Sequence, residues 1–367
     1  MAEKTVSYKC PNCSGPLEFQ PGKKTVTCEY CGTELETEVV KKLFDKEQER
    51  AALAEKAEKA KWDAKSAGTE WESGETDNFR KFTCSSCGAE IVSDENTMAT
   101  ECCYCGNPTM IPSRFDGMLR PDYIIPFKKT KQDAVNALKE FYKGKLLLPG
   151  AFTENNRVEH IQPMYVPFWL LDSDVRVSAN FSAEDDYVID TPDAVITHTK
   201  VYDVDREGIM QFERIPHDGS RKMDDKYTES IEPFDYSELV EFNAGYLAGY
   251  LADKYDVDAD EAIKCTENRI VNTAVSELQN TVEGYMRVSC KSHTFFQENS
   301  KVSYAMAPVW ILTTRYEDKP YTFMMNGQTG KIVGELPYSK MKAAAFTAAS
   351  VLLTLPVFYY IAKFVLS

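Results

Sequence analysis

The chain has 367 residues with 57 acidic against 42 basic side chains, a formal net charge of -15. That length allows several domains, and so acidic a surface is poor at gathering nucleic-acid phosphates. The start, Met1-Ala2-Glu3-Lys4, runs into polar sequence without an apolar core, so no secretory signal is expected and the cysteines are read as reduced, facing the cytosol.

The first element in the chain is a metal-binding pattern, and it occurs twice. Cys10-x2-Cys13 is followed after 14 residues by Cys28-x2-Cys31, and Cys84-x2-Cys87 after 14 residues by Cys102-x2-Cys105, each cysteine recurring at an offset of 74. A CxxC knuckle points two thiolates at one ion, and two knuckles on a hairpin close a tetrahedral zinc site. Between the knuckles of the first copy, Leu17 and Phe19 alternate with polar residues, Pro21-Gly22 turns the chain and Val26 lies on the return strand. In the second, Ile91 and Met98 flank Asp94-Glu95-Asn96. Gly32, Gly88 and Gly106 follow second cysteines, where a tight knuckle favours a positive φ. Disulfides or a redox CxxC are the competing readings. No βαβ pattern surrounds the motifs, and the duplication favours metal. Both ions are expected to be structural zinc, because a four-thiolate site leaves no position open to substrate. Two such sites, each net -2, would lower the charge from -15 to about -19. The offset leaves Cys103 spare. Cys265 and Cys290 are read as buried small hydrophobes.

The expected organisation is zinc ribbon 1 over 1–38, a helical linker and loop over 39–78, zinc ribbon 2 over 79–112, a body over 113–338 and an anchor over 341–364. Residues 39–65, rich in Ala, Glu and Lys without Gly or Pro, predict an exposed helical spacer, and Gly68, Ser73 and Gly74 mark a loop over 66–78. In the body, Thr130 caps a helix to Tyr142 with Ala134, Leu138 and Phe141 on one side. Further helices are expected over 239–254 and from Asp260 toward Val282. Strands are expected over 164–171, 175–181, 187–202, 285–291, 302–316 and 321–333, the last with a turn at Asn326-Gly327 and Gly330. Pro167-Phe168-Trp169-Leu170-Leu171 echoes Pro308-Val309-Trp310-Ile311-Leu312, by duplication or by chance. The class is α+β, with a largely antiparallel mixed body.

Residues 343–362 contain no charged side chain. At about 1.5 Å per residue, 20 helical residues span about 30 Å, the thickness of bilayer hydrocarbon. Lys340 and Lys342 precede the stretch, and Tyr359, Tyr360 and Lys363 close it as interfacial residues would. Pro356 is tolerated in such a helix. A single-pass C-terminal transmembrane helix in the cell membrane is expected, the bulk of the chain being cytoplasmic. A buried helix would ordinarily keep a wet side.

Other motifs do not complete. Asp256-x-Asp258-x-Asp260 with Glu267 imitates a calcium loop, but Glu261 stands where that loop needs Gly, and helix capping explains the same residues. Asn180-Phe181-Ser182 matches a glycosylation sequon that a cytosolic domain makes irrelevant. His160, His198, His217 and His293 form no metal motif. There is no phosphate-loop GxxxxGK[ST] and no GxSxG elbow, and no catalytic residues are assigned.

Several stretches carry a resemblance: Ile124-Ile125-Pro126-Phe127-Lys128, Ile231-Glu232-Pro233-Phe234-Asp235-Tyr236, Leu247-x-Gly249-Tyr250-x-Ala252-Asp253-Lys254-Tyr255-Asp256, Pro308-x-Trp310 and Met325-Asn326-Gly327-Gln328-Thr329-Gly330-Lys331. With the ribbons and tail, the chain resembles the bacterial YdjG-like membrane-anchored zinc-ribbon proteins over nearly its whole length. Such proteins sometimes carry a primosomal-helicase label, which the missing phosphate loop contradicts. The resemblance implies an adaptor encoded beside SPFH (flotillin-like) scaffolds and PspA-like proteins, placing them at the membrane in envelope stress.

The expected function is therefore a membrane-tethered, non-catalytic zinc-ribbon adaptor that recruits cytoplasmic protein partners, with no small-molecule substrate evident. The alternative is a nucleic-acid or transcription-related ribbon protein using Lys23-Lys24 or Arg80-Lys81, against which the net acidity and the tail weigh. An enzyme would require a deep polar cleft with perturbed acids, or Cys103 as a thiol centre.

Overall fold

A computed structural model describes residues 8–10, 13, 15–19, 23–42, 45, 61–97, 99, 101–155, 160–191, 194–223, 225–317 and 319–365. The chain is a mixed α+β protein with a large sheet and few helices, and it divides into two compact units. Unit 1 comprises Met1–Lys61, Ser173–Gln211 and Val271–Ser300, and unit 2 comprises Trp62–Asp172, Phe212–Ile270 and Lys301–Ser367.

Unit 1 contains the first cysteine pattern on four short strands: β1 (Tyr8–Lys9), β2 (Pro16–Leu17), β3 (Thr25–Thr27) and β4 (Glu34–Glu36). Among the described residues β1 pairs only with β2 and β3 only with β4, in two separate antiparallel two-stranded sheets. Their apolar core consists of Leu17, Val26 and Val40 around Cys10 and Cys28. Residues 37–42 are helical, as expected for the start of the spacer. Most of the predicted linker helix, the Pro21-Gly22 turn and Met98 lie outside the described residues.

Among the described residues the other strands form one 11-stranded sheet. It is built from β5 (Phe79–Cys84), β6 (Glu90–Asp94), β7 (Met110–Arg114), β8 (Tyr123–Ile124), β9 (Gln162–Thr191), β10 (Ala194–Asp218), β11 (Val240–Glu241), β12 (Leu251–Asp253), β13 (Arg287–Tyr316), β14 (Lys319–Asn326) and β15 (Ile332–Gly334). The main order is β11-β8-β13-β9-β12-β6-β5-β7, with β10 on β9 and β14 on β13. β9, β10 and β13 run through both units, so each contributes residues to each. The helices are α1 (Lys131–Tyr142), α2 (Gly150–Asn155), α3 (Asp225–Ile231), α4 (Ala259–Asn280) and α5 (Lys340–Val365).

Strand alternation builds the core of unit 2 on both sheet faces. Phe168, Leu170, Val309, Ile311 and Met324 enter one apolar cluster, with Ile231 of α3. Trp310, Leu312, Phe323 and Met325 enter another, with Ala134 and Leu138 of α1 and Phe152 of α2. Both echo tryptophans find an indole acceptor: Trp169 Nε1 donates to Val257 O and Trp310 Nε1 to Lys129 O, each at 2.9 Å. α1 starts as expected, in a capping box: Asp133 N donates to Thr130 Oγ1 at 3.3 Å and Thr130 N to Asp133 Oδ2 at 2.9 Å.

Four expectations are corrected. No α-helix covers 239–254. Asn243 caps a short 3-10 turn over Ala244–Leu247, Gly249 takes φ +81°, and β12 then enters the sheet. Leu247 and Leu251 have helical spacing, but the gap between β9 and β6 takes the segment, pairing Leu251 with Met164 in parallel and Ala252 with Val92 antiparallel. The strand expected over 187–202 instead contains the end of β9 and the start of β10. The separate strands over 164–171 and 175–181 are one, as are those over 285–291 and 302–316. Cys265 is exposed and Cys290 half-buried, not core residues. Cys265 lies on the wet side of α4, beside a cleft, and Cys290 Sγ donates to Ser292 O at 3.6 Å on β13.

Candidate metal centres

All four knuckles share one backbone hydrogen bond. The N–H of each leading cysteine donates to the carbonyl five residues on: Cys10 to Gly15 (2.8 Å), Cys28 to Thr33 (2.9 Å), Cys84 to Ala89 (2.9 Å) and Cys102 to Asn107 (2.8 Å). Three of these turns close again where Gly32, Gly88 and Gly106, at φ +72°, +68° and +66°, donate to the leading cysteine's carbonyl. A side chain in that conformation would be strained, which accounts for glycine following the second cysteine.

The knuckles bring Cys10, Cys13, Cys28 and Cys31 into one group and Cys84, Cys87, Cys102 and Cys105 into another, the sulfurs of each lying within 4.8 Å of one another. The Sγ–Sγ distances are 3.7 Å for Cys10–Cys31, 3.5 Å for Cys13–Cys28, 3.6 Å for Cys84–Cys105 and 3.6 Å for Cys87–Cys102. A tetrahedron of sulfurs about 2.3 Å from a central ion has edges of about 3.8 Å, whereas a disulfide bond would be about 2.05 Å. Each group could therefore hold one metal ion. In each, the leading cysteines are buried and the trailing ones lie nearer solvent.

Electrostatics point the same way. Hydrogen bonding to Thr33 lowers the Cys31 thiol to about 6. Burial opposes ionisation of Cys84, but the backbone N–H groups of Cys87 and Ser86 outweigh it and bring it to about 7. For Cys13, the Gly15 backbone favours the thiolate, but the sulfurs of Cys28 and Cys31 push it up to about 12. Burial raises Cys102, and the sulfur of Cys87 adds to the shift. Four thiolates this close repel one another, and a cation among them removes that penalty.

The spare thiol is where the offset put it. Cys103 is buried and donates to Met164 Sδ at 3.5 Å, away from the sulfur group, and burial holds it protonated. No histidine joins either group among the described residues. His160 meets Glu101 at 3.3 Å and His198 stacks on Tyr187. In the acidic triplet near 256–260, Asp258 caps α4, its Oδ1 accepting from Glu261 N at 2.8 Å.

Over 343 residues, 93% of this chain and 93% of the relative, the sequence is 32% identical to the Bacillus subtilis (strain 168) protein named "Uncharacterized protein YdjG". The chain belongs to the YdjG family. No family model matches it, and no solved structure matches it.

The two centres of this YdjG-family chain differ in their setting. The first sits on strands paired only with each other. The second is held by β5, β6 and β7, and β6 pairs with β12 within the large sheet. Lys222 Nζ also donates to the Cys87 carbonyl at 3.0 Å.

Two features had no signal in the sequence. A cleft of about 450 Å3 in unit 2 is lined by His217, Asp218, Arg221, Glu232, Glu261 and Arg269 among others. Its cations are engaged, since Arg221 pairs with Glu261 and Arg269 donates to Pro216 O at 3.1 Å. The acid raised furthest lies outside that lining. Burial pushes the Asp253 carboxyl up to about 7, against the opposing pull of the Ser220 and Tyr104 hydroxyls.

The third expected feature is α5. Its Lys340–Tyr359 segment has a mean hydropathy of 1.6, has no buried residue, and is long and apolar enough to cross a membrane. Thr347, Ser350 and Thr354 turn their hydroxyls back onto the carbonyls of Ala343, Phe346 and Ser350, each at 2.9 Å. Their polarity is thereby satisfied inside the helix.

Proposed function

We propose that this protein is a membrane-tethered, non-catalytic adaptor whose two four-cysteine centres hold structural zinc and present rigid knuckles to cytoplasmic partner proteins. The observation that carries the reading is the closure of each centre, with four cysteine sulfurs at tetrahedral spacing and no histidine or carboxylate among them. Zinc with four thiolates has no open position for water or substrate, so it stabilises a shape and activates nothing. Thiolate ligands favour zinc over hard cations, and a metal without redox chemistry suits a purely structural task.

The exposed apolar α5 supports a membrane tether, because so much uncovered hydrocarbon on one helix needs a nonpolar environment. The lysines before the span favour a cytoplasmic setting for the bulk of the chain. Partners of the SPFH and PspA-like kinds, in an envelope-stress setting, are those that the family resemblance implies.

The test is to delete residues 341–367 in cells and follow both the protein and its cross-linked partners by fractionation. Recruitment predicts that the protein and its partner both leave the membrane. A partner that stays at the membrane in unchanged amount would refute it.

A further inference from the structure

α5 begins on a fastened foot. Ser339 N donates to the Leu147 carbonyl at 2.8 Å, and Lys342 Nζ donates to the Leu148 carbonyl at 2.7 Å. Ser339 in turn receives Lys342 N on its hydroxyl at 3.3 Å and Ala343 N on its carbonyl at 2.9 Å. The turn at 143–147, directly after α1, is therefore held against the first turn of α5 by bonds from both sides of the helix start.

The side chains gathered there are of two kinds. Leu146 is 73% exposed, Tyr338 66% and Met341 83%, with Leu147 at 37%. Among them stand the exposed lysines Lys143, Lys145, Lys340 and Lys342, of which Lys143 forms an ion pair with Glu140. A single exposed leucine is unremarkable. Lys342 is already bonded to the Leu148 carbonyl and Lys143 to Glu140, but four uncovered apolar side chains beside Lys145 and Lys340, at the point where an apolar helix leaves the fold, match an interfacial segment: apolar groups reach the acyl boundary and ammonium groups meet lipid phosphates. In a chain of net charge -15, this local excess of positive charge suits an anionic surface and no other face of a bilayer system.

We propose that the 143–147 turn, together with Tyr338 and Met341, rests in the headgroup region of an anionic bilayer and fixes the posture of unit 2 on the membrane. This rests on α5 crossing that bilayer. It adds a second, peripheral contact to the tether, so that the body is seated and not merely leashed. Each lysine at an anionic surface is worth about a fivefold change in partitioning.

The experiment is hydrogen exchange on the full chain reconstituted in nanodiscs of phosphatidylcholine alone, or of phosphatidylcholine and phosphatidylglycerol in equal parts. Amides 144–147 should exchange about tenfold more slowly in the anionic discs. Leu146→Glu with Leu147→Glu, and separately Lys143→Gln with Lys145→Gln, should remove that slowing. All four side chains are exposed, so the fold should survive, and unchanged protection of α1 checks that it does. Protection of the α5 amides in every sample reports the tether independently. Protected α5 amides with no lipid-dependent change at 144–147, or a change that both double variants retain, would overturn the seating and leave the tether standing. Unprotected α5 amides would overturn both.

Discussion

Serine replacement of Cys28 and of Cys84, one at a time in the full chain, should damage the molecule in two different ways. Each variant loses one thiolate of a four-thiolate set and with it the clamp on that centre. For the first centre the apolar core is Leu17, Val26 and Val40, worth about 1.5–3 kcal/mol each. That is about 4.5–9 kcal/mol together, less than the roughly 10–16 kcal/mol that zinc supplies to such units. Because β1 to β4 pair only among themselves, the failure stays local. Cys28→Ser should abolish exchange protection over 8–40 and leave the main thermal transition within about 1 °C of the parent. In the second centre, Phe82 and Ile91 are packed in the same cluster as Met164 and Phe168, so the strands do not simply fall away. What Cys84→Ser releases is the small cluster of Cys84, Ala89 and Cys102 at the end of β5, about 1 kcal/mol per side chain and so about 3 kcal/mol in all. For a unit of this size that alone lowers the main transition by about 6–12 °C, and the zinc that no longer stabilises the folded state adds to the fall. Exchange mass spectrometry and calorimetry on the two variants decide the matter. Equal effects on the main transition, or a larger one from Cys28→Ser, would refute the account of how the centres are coupled to the fold.

Three further outcomes follow from particular contacts. Asp253 has a folded-state value of about 7, above its unfolded one, so the native state holds a proton that the unfolded state has lost. Stability therefore falls as pH rises from about 4 to about 7 and is level above that, with a contribution on the order of 4 kcal/mol at most. Asp253→Asn should flatten the stability curve between about pH 4 and 7 in urea titrations and stabilise the protein at the alkaline end. Gly327→Ala places a Cβ 2.6 Å from Phe127 Cε1 and 2.9 Å from Pro308 Cβ, which should cost about 1–3 kcal/mol in thermal unfolding. Thr130→Ala removes the side-chain half of the α1 capping box, keeps the backbone bond from residue 130 to Asp133, and should cost about 1 kcal/mol by the same assay.

The cysteine groups were legible in the sequence because their chemistry is local: an offset and two spacings fix which sulfurs meet, and Cys103 falls outside the set for the same reason. The α1 cap and the Asn326-Gly327 turn were legible on similar grounds, each being decided within a few residues. β12 was not, because Leu247 and Leu251 satisfy a helical period, and only the presence of β9 and β6 on either side makes a strand the better use of that segment. The second half of β10 was missed because Arg206 and Gly208 occupy half-buried positions in its alternation and break the apolar period that Val204, Met210 and Phe212 would otherwise show. The cleft round His217 and Arg269 and the burial of Asp253 assemble from distant segments, and no spacing announces them. The membership of β5, β6 and β7 in the large sheet is likewise a long-range pairing.

The most direct measurement is elemental analysis of the full-length chain taken from the membrane fraction with mild detergent. The account predicts two zinc ions per chain, both released on acidification, and in a cobalt-exchanged sample the same acidification should abolish the thiolate charge-transfer absorption. Protein recovered from membranes without bound metal would contradict it.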